Sequence, residues 1–504
     1  MGHFKNLLTG TLTLLIFISC SPSKSVREQI IQLPVTDLTS NVEELSYVMG
    51  VGDLNGDGET DVVIRAWSEE DKLKNNLETR SYAYTHDGRL LWQFNHHITP
   101  AEFGEPCAMV PLTIWDFNND GKDEVVTTVR EENQYKLVML DGLKGPKTVL
   151  HQAALEGVSY NVFSALAYVD GQNPYVAIET GHDAKIILFD RELNRTAVLD
   201  NPAYYRIKDT VWLLPYDFDN DGKDEIVYGP LLLNEDLSIY LDATQFGFPD
   251  SGEVRAERSF VADIDPDNPG YEWYIEATGK NRKYFVEPDY YKGPYLLDVD
   301  KKEIIWHENS DEFGQGWGRL HRGWVRDVDP DIPGLEMFCT GYYWEENEWQ
   351  DALNGKYKIR PNGVWAGDYW ETYKVYSAKG EELVSSHGTR VGYPVIWDDD
   401  PEPEYFMYRS GKLLDNFFDD NVIAQLAKHN GSGECTIADI KGDWREEIII
   451  TDNNGVVHIY SNGEPSKYPD RPSPREGHNY LMHMASIGSG LPKPVPPDAG
   501  WLNK

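Results

Sequence analysis

Asp53-Leu54-Asn55-Gly56-Asp57-Gly58-Glu59-Thr60-Asp61 is followed at once by the β-branched run Val62-Val63-Ile64. This stretch decides the fold, because residues 116–124 and 217–225 repeat it and also run directly into Val or Ile. Each copy has oxygen-bearing side chains at positions 1, 3, 5 and 9 and glycine at position 6. That spacing can wrap one calcium ion, with a backbone carbonyl from position 7. Strand-forming residues after each loop argue against an EF-hand, which continues into a helix.

Looser copies of the loop follow further along the chain. Residues 263–272 and 327–336 share the pattern Asp-x-Asp-Pro-Asp-x-Pro-Gly-x-Glu. Residues 398–404 and 439–447 are less regular, and turn formation without a metal explains them equally well. A degenerate copy at residues 168–171 lacks the ligands. The predicted calcium ligands are Asp53, Asn55, Asp57, Asp61, Asp116, Asn118, Asp120, Glu124, Asp217, Asp219, Asp221, Glu225, Asp263, Asp265, Asp267, Glu272, Asp327, Asp329, Asp331 and Glu336. The pattern leaves open whether one of these ions is also catalytic.

The spacing of the copies predicts the architecture. They begin near residues 53, 116, 170, 217, 263, 327, 398 and 439, a period of roughly 45 to 70 residues with several strands in each. Such a period is typical of propeller blades. We therefore predict an all-β chain with a single β-propeller over residues 45–504, of eight blades, or seven if one copy is only a long loop. The first strand after the N-terminal tether, which ends at residue 44, is expected to close the ring against the last blade.

The charge of the chain limits its partners. Its 504 residues include 84 acidic and 46 basic side chains, for a formal net charge of −38. Such a surface repels nucleic acid and anionic membranes. An acidic polysaccharide would also be repelled unless cations are bound or the binding site is locally basic. Cys107, Cys339 and Cys435 are too few and too widely spaced to predict a disulfide framework.

The N-terminus has the features of an export signal. Lys5 precedes an apolar stretch that ends in Phe17-Ile18-Ser19-Cys20, which resembles a lipobox. We predict a signal peptide over residues 1–20 with Cys20 lipidated, and a tether over residues 21–44. The expected location is the cell envelope, at the outer membrane surface, with a monomeric propeller touching the membrane through its lipid alone. An ordinary secretory signal with an incidental cysteine is the alternative.

Several segments are similar to polysaccharide lyase family 11, the rhamnogalacturonan lyases. Gly442-Asp443-Trp444-Arg445-Glu446-Glu447 resembles that family's Gly-Asp-Trp-Arg-Glu-Glu signature. Residues 165–174 and 327–336 resemble two more of its motifs, and the motifs occur in the family's order. The resemblance covers most of residues 45–502. It implies a lyase that cleaves a rhamnose- and uronate-containing acidic polysaccharide by β-elimination.

The chain departs from the family at positions expected near substrate. The family's Gly-His-Gly-Asp-Ala-Met-His run reads Gly318-Arg319-Leu320-His321-Arg322-Gly323-Trp324 here. Its rhamnose-contacting Asn-Gly-Thr-Lys segment reads Asn430-Gly431-Ser432-Gly433, so the lysine is lost. Function can change on a retained fold. Related propeller lyases that cut ulvan, or that remove rhamnose from glucuronate, fit as alternatives.

A lyase needs a group that neutralises the uronate carboxylate and a base that takes the neighbouring proton. The densest basic cluster is residues 317–326, directly before an acidic loop, although ion pairs between blades explain it equally well. The predicted catalytic residues are His321, Arg319, Arg322 and His182. The predicted substrate-binding residues are Asn430, Gly431, Ser432, Trp317 and Arg326.

Two other classes of protein share these features. A calcium-dependent propeller that binds glycans without cutting them would carry the same loops, and so would an adhesion propeller. The histidine and the basic cluster favour a lyase over an adhesion protein, whereas the lost family histidines keep the glycan-binding class open.

Overall fold

The computed structural model of the chain contains eight four-stranded antiparallel sheets arranged as the blades of a propeller. It describes residues 25–33, 45–68, 79–97, 111–132, 134–155, 163–180, 185–200, 213–246, 254–279, 293–308, 316–344, 358–359, 365–366, 371–387, 392–400, 402–428, 435–452 and 454–487, with the backbone alone for some strand residues. Eight blades confirm the first of the two predicted blade numbers and exclude seven.

The strands follow the chain in order. Blades 1 to 4 contain β2 (Leu45–Gly52), β3 (Asp61–Ser68), β4 (Arg80–Tyr84), β5 (Leu90–Asn95); β6 (Leu112–Trp115), β7 (Glu124–Glu131), β8 (Gln134–Asp141), β9 (Gly145–Leu155); β10 (Phe163–Ala167), β11 (Tyr175–Glu179), β12 (Ile186–Phe189), β13 (Arg195–Leu199); and β14 (Leu213–Tyr216), β15 (Glu225–Tyr228), β16 (Leu231–Leu233), β17 (Ile239–Asp242).

Blades 5 to 8 contain β18 (Val254–Ala262), β19 (Glu272–Gly279), β20 (Gly293–Asp298), β21 (Glu303–His307); β22 (Gly316–Arg326), β23 (Glu336–Trp344), β26 (Glu371–Tyr376), β27 (Glu382–His387); β28 (Tyr393–Val395), β29 (Glu404–Met407), β30 (Lys412–Leu414), β31 (Val422–Gln425); and β32 (Cys435–Ala438), β33 (Glu447–Thr451), β34 (Val456–Asn462), β1 (Val26–Gln32). A short pair, β24 (Lys358–Ile359) and β25 (Trp365–Ala366), lies outside the blades, and short 3-10 turns occur at Ala243–Phe246 and Pro474–Glu476.

Ring closure uses the two ends of the described chain. β1 pairs antiparallel with β34, from Val26 opposite Asn462 to Gln32 opposite Val456. This confirms that the ring closes against the last blade, although the closing strand precedes residue 45 instead of following the predicted tether. The pairing removes a sheet edge that would otherwise stay unpaired. It also corrects the predicted tether over residues 21–44, because Val26–Gln32 is the outer strand of blade 8.

The propeller has two distinct faces. Each predicted loop connects the first and second strands of its blade, so all eight loops lie on one face, together with the turns after the third strands. We call this the acidic face. The connections after second and fourth strands lie on the opposite face. First strands contact one another between blades 1 and 2, 2 and 3, 3 and 4, and 5 and 6, so these are the innermost strands of their blades.

Buried aliphatic and aromatic side chains fill the space between neighbouring blades. One such cluster joins Ile264 of blade 5 to Leu320 and Met337 of blade 6, and similar clusters join the other neighbours. The strands read as nearly continuous apolar runs because both sides of each blade are covered. This packing holds the loops of adjacent blades within hydrogen-bonding distance of each other.

A C-terminal helix that the sequence did not predict lies on the acidic face. This helix, α1 (His478–Ser486), packs against the first strands of blades 1 to 4. Ser486 Oγ accepts from Leu166 N at 2.8 Å, and His478 Nε2 lies 2.7 Å from Asp224 Oδ1. It therefore covers part of the axis on that face. Within the described ranges, no helix is both long enough and apolar enough to cross a bilayer.

Candidate active site and metal loops

The three regular acidic loops share one backbone geometry. In residues 53–61, Asp53 accepts hydrogen bonds from Gly56 N at 2.7 Å and Gly58 N at 2.8 Å. The glycine at position 6 has a φ of +84°, and its counterparts Gly121 and Gly222 have +82° and +86°. This conformation strains residues with a Cβ, so the glycine is needed for the turn.

The ninth residue of each regular loop is a buried acid. Asp61, Glu124 and Glu225 each accept the N–H of the second loop residue, at 3.0 to 3.1 Å. Burial disfavours the charged form and raises the pKa of these carboxyls to about 6, 7 and 8 respectively. A bound cation would reverse that effect, because it stabilises the ionised form.

Two loops bring three carboxylates together. Asp217, Asp219 and Glu225 offer oxygens within 4.8 Å of one another, and Asp398, Asp400 and Glu404 do the same. The second group belongs to the loop for which a plain turn and a metal site were equally favoured. Its carboxylates were absent from the predicted ligands, although the spacing Asp-x-Asp was visible in the sequence.

Of the two Pro-Gly loops, residues 327–336 retain unsatisfied carboxylate oxygens. Asp327 Oδ1 and Glu336 Oε1 are buried and have no hydrogen-bond partner among the residues that the structure describes. Burial raises the pKa of Asp327 to about 6 and that of Glu336 to about 8. These orphaned oxygens fit a cation ligand set.

The other Pro-Gly loop, residues 263–272, is already neutralised. Lys379 Nζ lies 2.6 Å from both carboxylate oxygens of Asp265 and 3.2 Å from Asp267. Asn268 Nδ2 donates to Glu272 Oε1 at 2.6 Å. The predicted ligands of this loop therefore face a lysine and an amide donor, which argues against the predicted ion.

The loop at residues 439–447 is organised by protein groups. Asp439 accepts from Gly442 N at 2.6 Å and from Ser473 Oγ at 2.5 Å. Arg445 pairs with Asp443 at 2.8 Å. Trp444 is fully buried at a φ of +68°, a conformation that a non-glycine residue rarely adopts. The signature residues thus form a turn held by protein groups. This agrees with the alternative in which the loop forms without a metal.

A second acid, one position before the last loop residue, ties neighbouring blades together. In three blades its carboxylate accepts a backbone N–H from the preceding blade: Asp53 N to Asp123 Oδ2 at 2.6 Å, Tyr168 N to Asp224 Oδ2 at 2.6 Å, and Ile396 N to Glu446 Oε2 at 2.8 Å. The adjacent acids in Asp-Glu and Glu-Glu were the sequence signal for this role, and sequence reasoning missed it.

Arg326 corrects one predicted substrate contact. Its guanidinium is 1% exposed and donates to Glu446 Oε2 at 2.7 Å. The pair joins blade 6 to blade 8, and Tyr480 of α1 donates to the other Glu446 oxygen at 3.3 Å. A buried arginine on the acidic face cannot reach a polymer, so Arg326 has a structural role.

The rest of the basic cluster lies on β22, the first strand of blade 6, where the backbone alone is described for Trp317, Arg319, His321 and Arg322. The pairing of β22 with β23 shifts register at Gly318 and at His321, so each is an extra residue without a partner in β23. The simple alternation of residues between the two faces of the strand is therefore interrupted at both positions. Bulges of this kind re-aim side chains and occur often beside active sites.

Buried charges lie beside the bulged strand. Glu276 of β19 is fully buried, and a Cβ added at Gly323 would come 1.8 Å from its Oε1. Arg258, 3% exposed, is the register neighbour of Glu276 on β18. Gly323 is thus required for the close approach of this carboxylate to β22.

The remaining predicted residues, His182, Asn430, Gly431 and Ser432, lie outside the described residues. The strands next to them are informative. β11 ends at Glu179, before His182, and β32 begins at Cys435, after Ser432. Both strand ends lie on the opposite face, the face from which β22 starts.

Comparisons with known proteins agree with this architecture. The family model described as rhamnogalacturonan lyase family 11, C-terminal domain, matches residues 159–469, more than half of the chain. Rhamnogalacturonan endolyase YesW of Bacillus subtilis (strain 168) is 23% identical over 479 residues, covering 83% of this chain and 67% of its own. Rhamnogalacturonan exolyase YesX of the same organism is 23% identical over 481 residues, covering 82% and 70%.

Solved structures share the fold. The structure of YesW superposes with a TM-score of 0.62 at 18% identity, covering 97% of this chain and 82% of its own. The biofilm matrix protein Bap1 of V. cholerae gives a TM-score of 0.52 at 13% identity, covering 87% and 90%. With the family model matched over blades 3 to 8 and the signature residues in place, the chain belongs to rhamnogalacturonan lyase family 11, a family of polysaccharide lyases.

Proposed function

We propose that this chain cleaves a rhamnogalacturonan-like polysaccharide by β-elimination, at the axial opening of the opposite face. The observation that carries the proposal is the basic, bulged segment at residues 317–322 on an innermost strand of a family 11 propeller. His321, at the second bulge, is the residue we assign as the base.

Electrostatics favour that face for a uronate polymer. The acidic face carries the eight loops, and α1 covers part of its axis. A polyanion is repelled there unless every loop is filled with cations. The opposite-face end of β22 carries Arg319 and Arg322, which supply positive charge to an otherwise acidic molecule. A local basic opening admits the polymer where the rest of the surface repels it.

The reaction needs only proton transfer and charge neutralisation. Arg319 and Arg322 pair with the uronate carboxylate, which lowers the pKa of the neighbouring carbon acid. His321 accepts that proton, the electron pair forms a carbon–carbon double bond, and the β-carbon–oxygen bond breaks. The leaving oxygen takes a proton from His182 or a tyrosine. Asn430, Gly431, Ser432 and Trp317 hold the neighbouring sugars.

The proposed base has to be neutral before it can accept a proton. Arg319 and Arg322 are close to His321 in the sequence, and nearby positive charge disfavours a protonated imidazole. A neutral imidazole near pH 7 is the form that accepts a proton. The rate should therefore fall at acid pH, as His321 becomes protonated.

Calcium fits the acidic loops on structural grounds. The orphaned oxygens of Asp327 and Glu336 and the clustered oxygens of residues 217–225 and 398–404 form cation ligand sets. Residues 53–61 and 116–124 have the same backbone geometry. Calcium in these loops would neutralise buried carboxylates and stabilise the folded ring.

The substrate assay separates the lyase alternatives. Purified protein is incubated with rhamnogalacturonan, ulvan and a rhamnosyl-glucuronate glycan, and the ultraviolet absorbance of the unsaturated uronate is followed. We expect the largest rise with rhamnogalacturonan. A rise with ulvan alone would reassign the substrate, and no rise with any acidic glycan would contradict the lyase.

One observation supports glycan binding without cleavage as a second candidate. Trp324 stands where the family carries a histidine, and it is buried and stacked on Phe338 with ring centroids 4.8 Å apart. That position is structural here. A protein that retains rhamnogalacturonan on a column but releases no unsaturated product would belong to this second class.

The location is part of the proposal. Cys20 is lipidated after signal cleavage, and the propeller works at the outer membrane surface as a monomer. Cys20→Ala should release soluble protein after export. Retention of the variant in the membrane fraction after signal cleavage would require another anchor.

A further inference from the structure

The two Pro-Gly loops have the same sequence pattern and different chemical partners. At the sixth position, residues 263–272 carry Asn268 and residues 327–336 carry Ile332. The amide of Asn268 satisfies Glu272 Oε1 at 2.6 Å, whereas Ile332 has no donor and Glu336 Oε1 stays orphaned. One side chain therefore decides whether the last carboxylate of the loop has a protein partner.

The two loops also differ in the charge that the following blade places beside them. The turn between β26 and β27 in blade 6 places Lys379 Nζ 2.6 Å from both Asp265 oxygens. The corresponding turn in blade 7 contains Asp415 and Asp419, whose charges act on Glu402 together with that of Asp329. The first loop thus receives a cation from the next blade, whereas the turn in blade 7 and Asp329 of the second loop both bring negative charge to Glu402.

Lys379 is held in place by packing. A Cβ added at Gly380, whose φ is +78°, would meet the ring of Trp306 at 2.3 Å, so the turn lies flat against blade 5. A second lysine crosses the same joint, with Lys374 Nζ 2.8 Å from Glu308 Oε1. Trp306 and Tyr376 pack across it with ring centroids 4.6 Å apart.

We infer that residues 263–272 form a calcium-type loop whose ion is replaced by Lys379 and Asn268, so that blades 5 and 6 are joined without calcium. The inference rests on the proposed calcium binding of the other loops. An ammonium group and Ca²⁺ cannot share the same carboxylate oxygens, so the two forms of neutralisation exclude each other. The joint holds β22, the strand with the candidate base, in place when calcium is scarce.

Calcium counting tests the inference. Bound calcium per chain is measured by elemental analysis after dialysis against about 1 mM Ca²⁺, a concentration at which extracellular modules are filled. Lys379→Met should gain one ion per chain, and the matched variant Lys379→Arg should gain none. Glu336→Gln should lose one ion, and Glu272→Gln should lose none. No gain in Lys379→Met, or a loss in Glu272→Gln, would overturn the inference.

Two further readouts keep the test decisive. Lys379→Met could unfold in chelator. In that case, calcium should restore its melting temperature and should have no such effect on Lys379→Arg. Failure of calcium to restore Lys379→Met would overturn the inference. The two proposals fail separately. Absence of calcium from the wild-type protein would contradict the proposed calcium binding, whereas the role of Lys379 is decided by whether Lys379→Met gains an ion.

A separate observation concerns the membrane. β1 begins on the acidic face, because Val26 pairs with Asn462 and Gly463 N donates to Ser25 O at 2.9 Å. Asn462 in turn donates to Trp397 O of an acidic-face loop at 3.0 Å. Five peptide units separate Cys20 from Ser25, which span at most about 18 Å. β1 itself extends about 23 Å towards the opposite face.

From this geometry we propose that the acidic face is turned towards the bilayer and the opposite face away from it. The proposal rests on lipidation of Cys20. A tether shorter than the strand cannot bring the opposite face against the lipid, whereas it brings the acidic face close. The candidate active site is then presented to polymer outside the cell.

Fluorescence quenching by an acceptor lipid tests the orientation. Probes are attached at Glu464, exposed on the acidic face, and at Glu132, exposed on the opposite face. We expect several-fold stronger quenching at Glu464. Insertion of about 20 Gly/Ser residues after Ser23 should reduce the difference, because the tether then exceeds the height of the propeller. Equal quenching with the native tether, or stronger quenching at Glu132, overturns the orientation. Absence of the wild type from the membrane fraction overturns it together with the anchor.

Discussion

The two ends of β22 carry the same kinds of residue and serve different purposes. Towards the opposite-face end, Arg319 follows the bulge at Gly318 and Arg322 follows the bulge at His321. At the acidic-face end, Arg326 is buried against Glu446 and ties blade 6 to blade 8. Three arginines within eight residues therefore divide between a candidate site and the framework. Arg326 shows that residue type alone does not identify a substrate contact, because its burial and its partner Glu446 assign it to the framework.

The largest expected effect of a substitution is a loss of lyase activity at the bulged end of β22. His321→Ala removes the proposed base and should lower the rate by about two to four decades. Its melting temperature is measured beside the rate, and an unchanged value shows that a loss of activity is not a loss of folding. His151→Ala, on the outer strand of blade 2, is the matched control. Full activity of His321→Ala would move the base elsewhere, first to His182.

The next effect lies at the buried end. Arg326→Met leaves Glu446 buried without its guanidinium partner and should lower the free energy of unfolding by about 3–5 kcal/mol. Activity per folded molecule should be retained. The double variant Arg326→Met with Glu446→Gln should recover part of the loss, as measured by denaturant titration. An Arg326→Met protein of normal stability that no longer binds polymer would restore its predicted role in substrate binding.

Calcium removal should act on the acidic face alone. A site held at about 100 times its Kd contributes about 2.7 kcal/mol to the folded state, so chelator should lower the melting temperature. Lyase activity at temperatures well below melting should change little, since β22 begins on the opposite face and the proposed calcium loops lie on the acidic face. An unchanged melting curve in excess chelator would contradict calcium in these loops.

The last expected effect is a pH dependence of the calcium-free protein. Burial raises the pKa of Glu225 and Glu336 from 4.5 to about 8. Their folded-state pKa lies above the unfolded one, so their contribution to stability is present below about pH 4.5 and is lost as pH rises to about 8. Melting temperature in chelator should therefore fall across this range, and calcium should flatten the profile. A chelated protein that gains stability between pH 5 and 8 would contradict these shifts.

The fold could be predicted from the sequence because its signal is local and repeated. Every copy of the loop marks the turn between first and second strands, so eight copies gave eight blades. The helix α1 was missed because its nine residues, with apolar and polar side chains mixed, give a weak periodic signal. It is stabilised by tertiary contacts rather than by its own propensity.

The site was harder to predict because its determinants lie far apart in the chain. Lys379 is more than 100 residues from Asp265, and the sequence around each residue does not predict that they form an ion pair. Arg326 and Glu446 are likewise 120 residues apart. The bulge at His321 depends on how β22 pairs with β23. The alternation of residues within one strand gives no information about that pairing. The sequence therefore predicted where the loops lie along the chain, but it did not predict which distant side chains contact them.

The closure of the ring has a consequence for how the protein is made. β1 is synthesised first, and its partner β34 lies about 430 residues later. At about 5–20 residues per second, β1 waits roughly 20 to 90 s for a partner. During that time every earlier blade can form from neighbouring strands, and blade 8 cannot. Folding therefore has an obligatory last step that needs both ends of the domain, and a chain that stops before Val456 leaves β1 as an exposed edge, ready to pair with another molecule.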